Sequence, residues 1–318
     1  EKMSQINFLQ VDAHHRVAYE TTGSKQGIPL VFLHGGPGSG YSEASKSFFE
    51  QNRWFATFID QRGCGNSAPQ GSIVNNTTAH LVSDIEEIRK QVKVDKWVVF
   101  GGSWGSTLTL KYAISFPEKV YALILRGIFL GTRDEINWFI NEMGRQKFPK
   151  TFSAFQQIVP NDIDTLQYYY DTIFGHDQLQ SLEAVRRWEN LERAGMQLSE
   201  ANLINKPGKS QLQADNKITA TGIEALNRMK IHLHYLKNNC FLKDNELIDT
   251  CHMLGEMKVS IIHGSEDPIC PKKNALKLHN QLKSSKLELL KNAGHDAFSP
   301  KIKNALTKAL ENIRKDLI

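Results

Sequence analysis

Apolar residues fall into two rhythms along the chain. Through the first 130 residues they come as short unbroken runs: PLVFLHG (29–35), WFATFID (54–60), KWVVFGGS (96–103) and YALILRG (121–127). Runs rich in Val, Ile and Phe, without polar alternation, predict strands covered on both faces, as in a parallel sheet. Between them, AHLVSDIEEIRKQV (79–92) spaces Leu81, Ile85, Ile88 and Val92 along one helical face. STLTLKYAISFP (106–117) predicts a second helix, stopped by Pro117. The leading MSQINFLQVD and HRVAYETTG read as an antiparallel pair. The rhythm changes at Gly131. From there to about residue 245 strand-like runs are scarce, and DEINWFINEMG, DIDTLQYYYDTIF, LEAVRRWENLERA and GIEALNRMKIHLHYL carry helical spacing. VSIIHGSED (259–267) and LELLKNAGH (287–295) return to strand and loop, and 300–317 is a closing helix. The pattern predicts an α/β fold. Residues 1–130 and 246–318 would form a mostly parallel, doubly wound sheet, with 131–245 inserted as a helical cap domain.

Composition narrows the function classes. A chain of 318 residues with 40% hydrophobic content can bury a sizeable core. The net charge of +5, from 39 basic and 34 acidic residues without a Lys/Arg block, argues against nucleic acid as a partner. No apolar run approaches the length of a membrane span, and the opening EKMSQINFLQ lacks an apolar signal core. Cys64, Cys240, Cys251 and Cys270 form no C-x-x-C pair and read as free thiols, which points to a reducing cytoplasm. Homo-oligomerisation is left open.

The strongest local signal is VVFGGSWGSTLTL. Gly101-Gly102-Ser103-Trp104-Gly105 is G-x-S-x-G between a predicted strand and a predicted helix, the context of a nucleophile elbow. The flanking glycines let the turn pack tightly and force Ser103 up at the carboxyl edge of the sheet. A serine nucleophile needs a base and a group that orients the base, in the chain order Ser, acid, His. The late strands supply both. IIHGSEDPICP ends in Asp267, preferred over Glu266 because Pro268 would fix the following turn, and LLKNAGHDAF ends in His295. All three candidates follow strands and so share one sheet edge. Acyl transfer also needs preorganised N–H donors for the oxyanion. The Trp104 N–H is one candidate. The other comes from the glycine-rich VFLHGGPGSG (31–40), with Gly36 first and Gly35 second. That loop does not fit a dinucleotide site, because the third glycine of G-x-G-x-x-G would fall on Tyr41.

HGGPG, DQRGCGNS (60–67), GGSWGSTL (101–108) and LRGIFLGTRDEINWF (125–139) together resemble proline iminopeptidases, serine peptidases of the α/β-hydrolase fold. The resemblance covers most of the chain and returns at GSEDPICP and AGHDAF. It implies removal of an N-terminal residue, typically proline, from small peptides or amino-acid amides with a free N-terminus. It also implies a helical cap over the site and no metal or cofactor. By motif, the triad falls on Ser103, Asp267 and His295, and the proline-ring pocket on Arg126, Phe129 and Phe139. RRWENLE implies that Glu189 meets the α-amine; the bland reading of Glu189 is a solvated helix carboxylate with Arg193 as partner. One departure stands out. The family's second amine-binding glutamate is replaced in MKIHLHYL (229–236) by His232, which accepts a hydrogen bond only when neutral. His232 and His234 form H-x-H, a weak metal pattern without a third ligand nearby. Cys270 lies close to Asp267, but the elbow makes Ser103 the nucleophile. The alternative reading is an esterase or amide hydrolase with the same triad and a different pocket.

Overall fold

Among the described residues, 5–197 and 220–318, a computed structural model places eight strands in one sheet, in the order β1-β2-β4-β3-β5-β6-β7-β8. β1 (Ile6–Gln10) pairs antiparallel with β2 (Arg16–Gly23), and β2 pairs antiparallel with β4 (Trp54–Ile59). The remaining strands run parallel: β3 (Ile28–Leu33), β4, β5 (Trp97–Ser103), β6 (Val120–Ile128), β7 (Lys258–Gly264) and β8 (Ser285–Leu290). The uninterrupted apolar runs become the interior strands because both faces are covered. In β5, Trp97 and Val99 join one apolar layer, while Val98 and Phe100 join the other. The edge strands β1 and β8 bury only alternate positions or fewer, in keeping with their more polar sequences.

One face is packed by α1 (Thr78–Gln91) and α2 (Trp104–Ser115), whose Leu81, Ile85, Ile88, Leu108 and Tyr112 are buried. α2 begins two residues earlier than the periodicity predicts, because Ser103 itself is the joint between strand and helix. Between β6 and β7 the chain leaves the sheet for a helical stretch. It runs through α3 (Arg133–Asn137), a π-helical turn Trp138–Met143, α4 (Gly144–Lys147), α5 (Pro149–Gln156), α6 (Thr165–Ile173), α7 (Gln178–Met196), α8 (Ala220–Lys237) and α9 (Glu246–Thr250). Its centre is aromatic. Phe155 stacks on Tyr169 at 4.5 Å between ring centroids, and both meet Trp188 of α7 edge-on. α10 (Lys272–Gln281) covers β6 and β7 from the α1–α2 face. α11 (Pro300–Leu317) seals the opposite face with Ile302, Leu306, Leu310 and Ile313. α5, α9 and α10 lie outside the helices expected from the sequence. No helix among the described residues is long and apolar enough to cross a membrane.

Candidate active site

Ser103 sits where β5 turns into α2, with φ 55 and ψ −124. A non-glycine residue held there stores on the order of 1–3 kcal/mol of strain, which the packed turn must offset. The glycines make that packing possible. A Cβ on Gly105 would collide with the Leu33 carbonyl oxygen of β3, and one on Gly101 would collide with the Gly105 carbonyl. The serine is thereby lifted into a cavity of about 330 Å³, in the range of small-ligand sites.

His295, in the loop after β8, lines the same cavity. Its Nδ1 donates to Asp267 Oδ2 at 2.6 Å. Asp267 follows β7 and is fully buried at its side chain. Its other oxygen accepts from the Ile269 and Cys270 backbone N–H groups at 3.0 and 2.9 Å. Burial alone would raise the carboxyl pKa, but the His295 charge and hydrogen bond reverse the sign and hold it below the usual range. Glu266, the rival acid, is exposed. The turn is tied to the helical stretch by Trp138, whose Nε1 donates to the Pro268 carbonyl at 2.7 Å. One neighbour escaped the sequence reading. His263, fully buried in β7, donates from Nε2 to the Cys270 carbonyl and accepts the Ile128 N–H at Nδ1, so its tautomer is neutral. Arg126 donates to the His295 carbonyl at 2.5 Å and lines the cavity. Cys270 also faces the cavity. Burial, then the Asp267 charge, pushes its thiol well above the ordinary range, so it does not compete as a thiolate.

Gly35 and Gly36 form a further wall. The next residues of this loop touch the helical stretch directly. Gly38, at φ 105, leaves no room for a Cβ against the Arg228 carbonyl of α8, and His232 Nδ1 donates to the Pro37 carbonyl at 3.0 Å. Trp104 is fully buried at the first position of α2, its backbone N–H directly after the serine.

The opposite wall comes from the helices and from the loops after β6 and β7. Phe129, Ile136, Phe139, Leu236 and Ile269 are its apolar part. Its polar part differs from the sequence expectation. Glu192, Arg228 and His232 face the cavity, and Glu189 does not. Glu189 lies on the same helix, paired with Arg228 at 2.9 Å. Arg228 also reaches Glu192 at 3.3 Å, and Trp188 Nε1 donates to Glu192 at 3.1 Å. Burial would raise the Glu192 pKa, but Arg228 and His232 outweigh it and keep the group a carboxylate. His232 is pushed below its ordinary pKa by burial. With its proton on Nδ1, its Nε2 is a buried acceptor without a partner, 3.4 Å from Glu192 Oε1. Two acceptors so close need a donor between them. His234 points elsewhere, to the Asn76 carbonyl at 2.7 Å.

A family model described as alpha/beta hydrolase fold matches residues 28–301. A probable proline iminopeptidase of Leptolyngbya boryana is 34% identical over 309 residues, covering 96% of this chain and 93% of that protein. The proline iminopeptidase of Arabidopsis thaliana is 34% identical over 310 residues, covering 96% of this chain and 79% of that protein. Among solved structures, the proline iminopeptidase of Mycobacterium smegmatis superposes with a TM-score of 0.67 at 16% identity, covering 99% of this chain and 100% of that one. That likeness bears on the fold alone.

Proposed function

This chain belongs to the proline iminopeptidase family of the alpha/beta hydrolase fold, and on that premise we propose that it is a serine exopeptidase releasing N-terminal proline, or another small apolar residue, from peptides. Ser103 Oγ attacks the scissile carbonyl. His295 Nε2 takes the serine proton and passes it to the leaving amine, while Asp267 holds the imidazole by Nδ1 and stabilises it as imidazolium. The N–H groups of Gly36 and Trp104 receive the oxyanion. Water then releases the acyl group by the reverse proton path. Phe129 and Phe139 hold the apolar side chain. The observation that carries the exopeptidase reading is the carboxylate of Glu192 beside the unpartnered Nε2 of His232, in the same cavity as Ser103. A protonated α-amine has the charge and the N–H groups to satisfy both, and a blocked amine would leave the carboxylate without its cation. Four unpaired, buried cysteines support a cytoplasmic location.

A second reading, an esterase or amide hydrolase, is favoured by one observation: Arg228 already pairs with Glu192 and offsets part of its charge. A panel of chromogenic proline, alanine and leucine amides, their N-blocked counterparts and simple acyl esters separates the two. The exopeptidase reading expects free-amine proline amides to be preferred and N-blocked ones refused. Equal turnover of blocked and free amides would install the second reading.

A further inference from the structure

The wall of the cavity that carries the oxyanion donors is braced from behind by a closed set of hydrogen bonds. His34, buried at the end of β3, donates from Nδ1 to the Gly35 carbonyl at 2.8 Å. Its Nε2 accepts the backbone N–H of Gln61 at 3.1 Å. The Gln61 side chain returns the contact, donating from Nε2 to the His34 carbonyl at 2.9 Å. The same amide accepts, at Oε1, the indole N–H of Trp104 at 2.9 Å. His34, Gln61 and Trp104 are all buried, so each bond is made where water cannot replace it. The partners also fix the protonation. A carbonyl at Nδ1 and an N–H at Nε2 leave only the neutral Nδ1–H tautomer, and burial lowers the His34 pKa in the same direction.

We infer that His34 and Gln61 are positioning residues that aim both oxyanion donors, an assignment that rests on the acyl-transfer reading of Ser103. The reason is the planarity of the peptide unit. The Gly35–Gly36 bond is trans, so its C=O and N–H point to opposite sides. When His34 holds the Gly35 oxygen on the buried side, the Gly36 N–H is held towards the cavity that Gly36 lines. Glycine has no side-chain contacts of its own to set that plane. Trp104, whose backbone N–H is the second donor, is gripped through its ring by Gln61, the residue whose backbone also grips His34. The two donors therefore share one brace, and their separation is set by Gln61. None of these side chains contributes an atom to the oxyanion hole, so they act through geometry alone.

The test uses steady-state turnover of a proline p-nitroanilide and of p-nitrophenyl acetate by the full chain. It adds inhibition by a prolyl boronic acid, which forms a tetrahedral adduct on the serine, and by free proline, a ground-state ligand. His34→Ala, and Gln61→Met, which keeps the shape and deletes both side-chain bonds, are expected to lower kcat about 10- to 100-fold on both substrates. KM and proline affinity should stay within threefold, and boronate affinity should fall in step with kcat. His34→Asn, whose amide can still donate to the Gly35 carbonyl, should recover kcat to within about fivefold of the parent. The inference is overturned if either deletion keeps kcat within threefold. Equal loss of proline and boronate affinity, or failure of both deletion variants to fold, also overturns it, since the brace would then be a folding element. A parent enzyme that cleaves the ester and not the proline amide refutes the peptidase reading instead, and the ester arm still tests the brace.

Discussion

The two walls of the cavity are built by different rules. On the sheet side, Ser103 ends β5 and Asp267 and His295 stand in the turns that follow β7 and β8, so their places follow from backbone geometry. On the helical side, Glu192 and His232 stand within the C-terminal halves of α7 and α8, and what they face depends on the helix's rotation about its axis. A helix turns 100° per residue, so Glu189 and Glu192, three apart, share a side and the partner Arg228 without sharing the cavity. One meets only Arg228; the other meets the cavity, Arg228 and His232. Strand-edge positions therefore tolerate no alternative, and helix-face positions can trade roles within one turn.

The difference can be broken at its strongest point first. Ser103→Ala should lower kcat by at least about 10⁴-fold, because triad members act as a unit. Its melting temperature should remain within a few degrees, since the glycines of the turn are untouched. Turnover by Ser103→Ala within tenfold of the parent would remove the sheet-side assignment altogether.

The helix-side assignment is sharpened by a pair of variants. Glu192→Gln should cost on the order of 2–4 kcal/mol, roughly 30- to 1000-fold in kcat/KM, on a free-amine proline amide, and far less on an uncharged ester. Glu189→Gln removes one half-exposed partner of Arg228 and should change kcat/KM by less than about fivefold, because such pairs contribute at most about 1 kcal/mol. The reversed order, Glu189 large and Glu192 small, would show that the dipeptide Trp188-Glu189 marks the amine site after all.

The same contrast explains what could be read from the sequence. Continuous apolar runs gave away the interior strands because nothing else requires both faces to be apolar. The elbow was legible because only glycines fit against Leu33 and Gly105. Asp267 was favoured over Glu266 by the following proline, and Glu266 is indeed the exposed member of the pair. Glu189, the residue the family motif implied, does not line the cavity and Glu192 one turn on does, because a one-turn ambiguity cannot be resolved without knowing where Trp188 points. Trp188 is fixed by Phe155 and Tyr169, which lie far away in sequence. The π-helical turn at 138–143, which carries Phe139 into the cavity wall, leaves no mark in the apolar period. His263, Gln61 and Arg228 are single polar residues whose roles exist only through partners from other segments.

One property spans both walls, and it provides the smallest effect. His34 and His263 beside the sheet and His232 in α8 are all buried, with pKa values lowered by burial. Below about pH 6.5 the unfolded chain takes up protons that these folded imidazoles refuse, so stability falls as the pH drops from that value toward the depressed folded ones. Each group contributes a slope of up to about 1.4 kcal/mol per pH unit in that window and none above it. Urea unfolding at pH 7.5, 6.5 and 5.5 measures the slope. His232→Gln should flatten it by one group's share while leaving stability at pH 7.5 little changed by this effect. The variant bears directly on the amine anchor, because Nε2 of His232 accepts a proton donor only if the imidazole is neutral. A steeper slope in His232→Gln would mean that His232 is already protonated against Glu192 at neutral pH, its pKa raised and not lowered. The pair would then be an internal ion pair, and the α-amine would have to find its charge elsewhere.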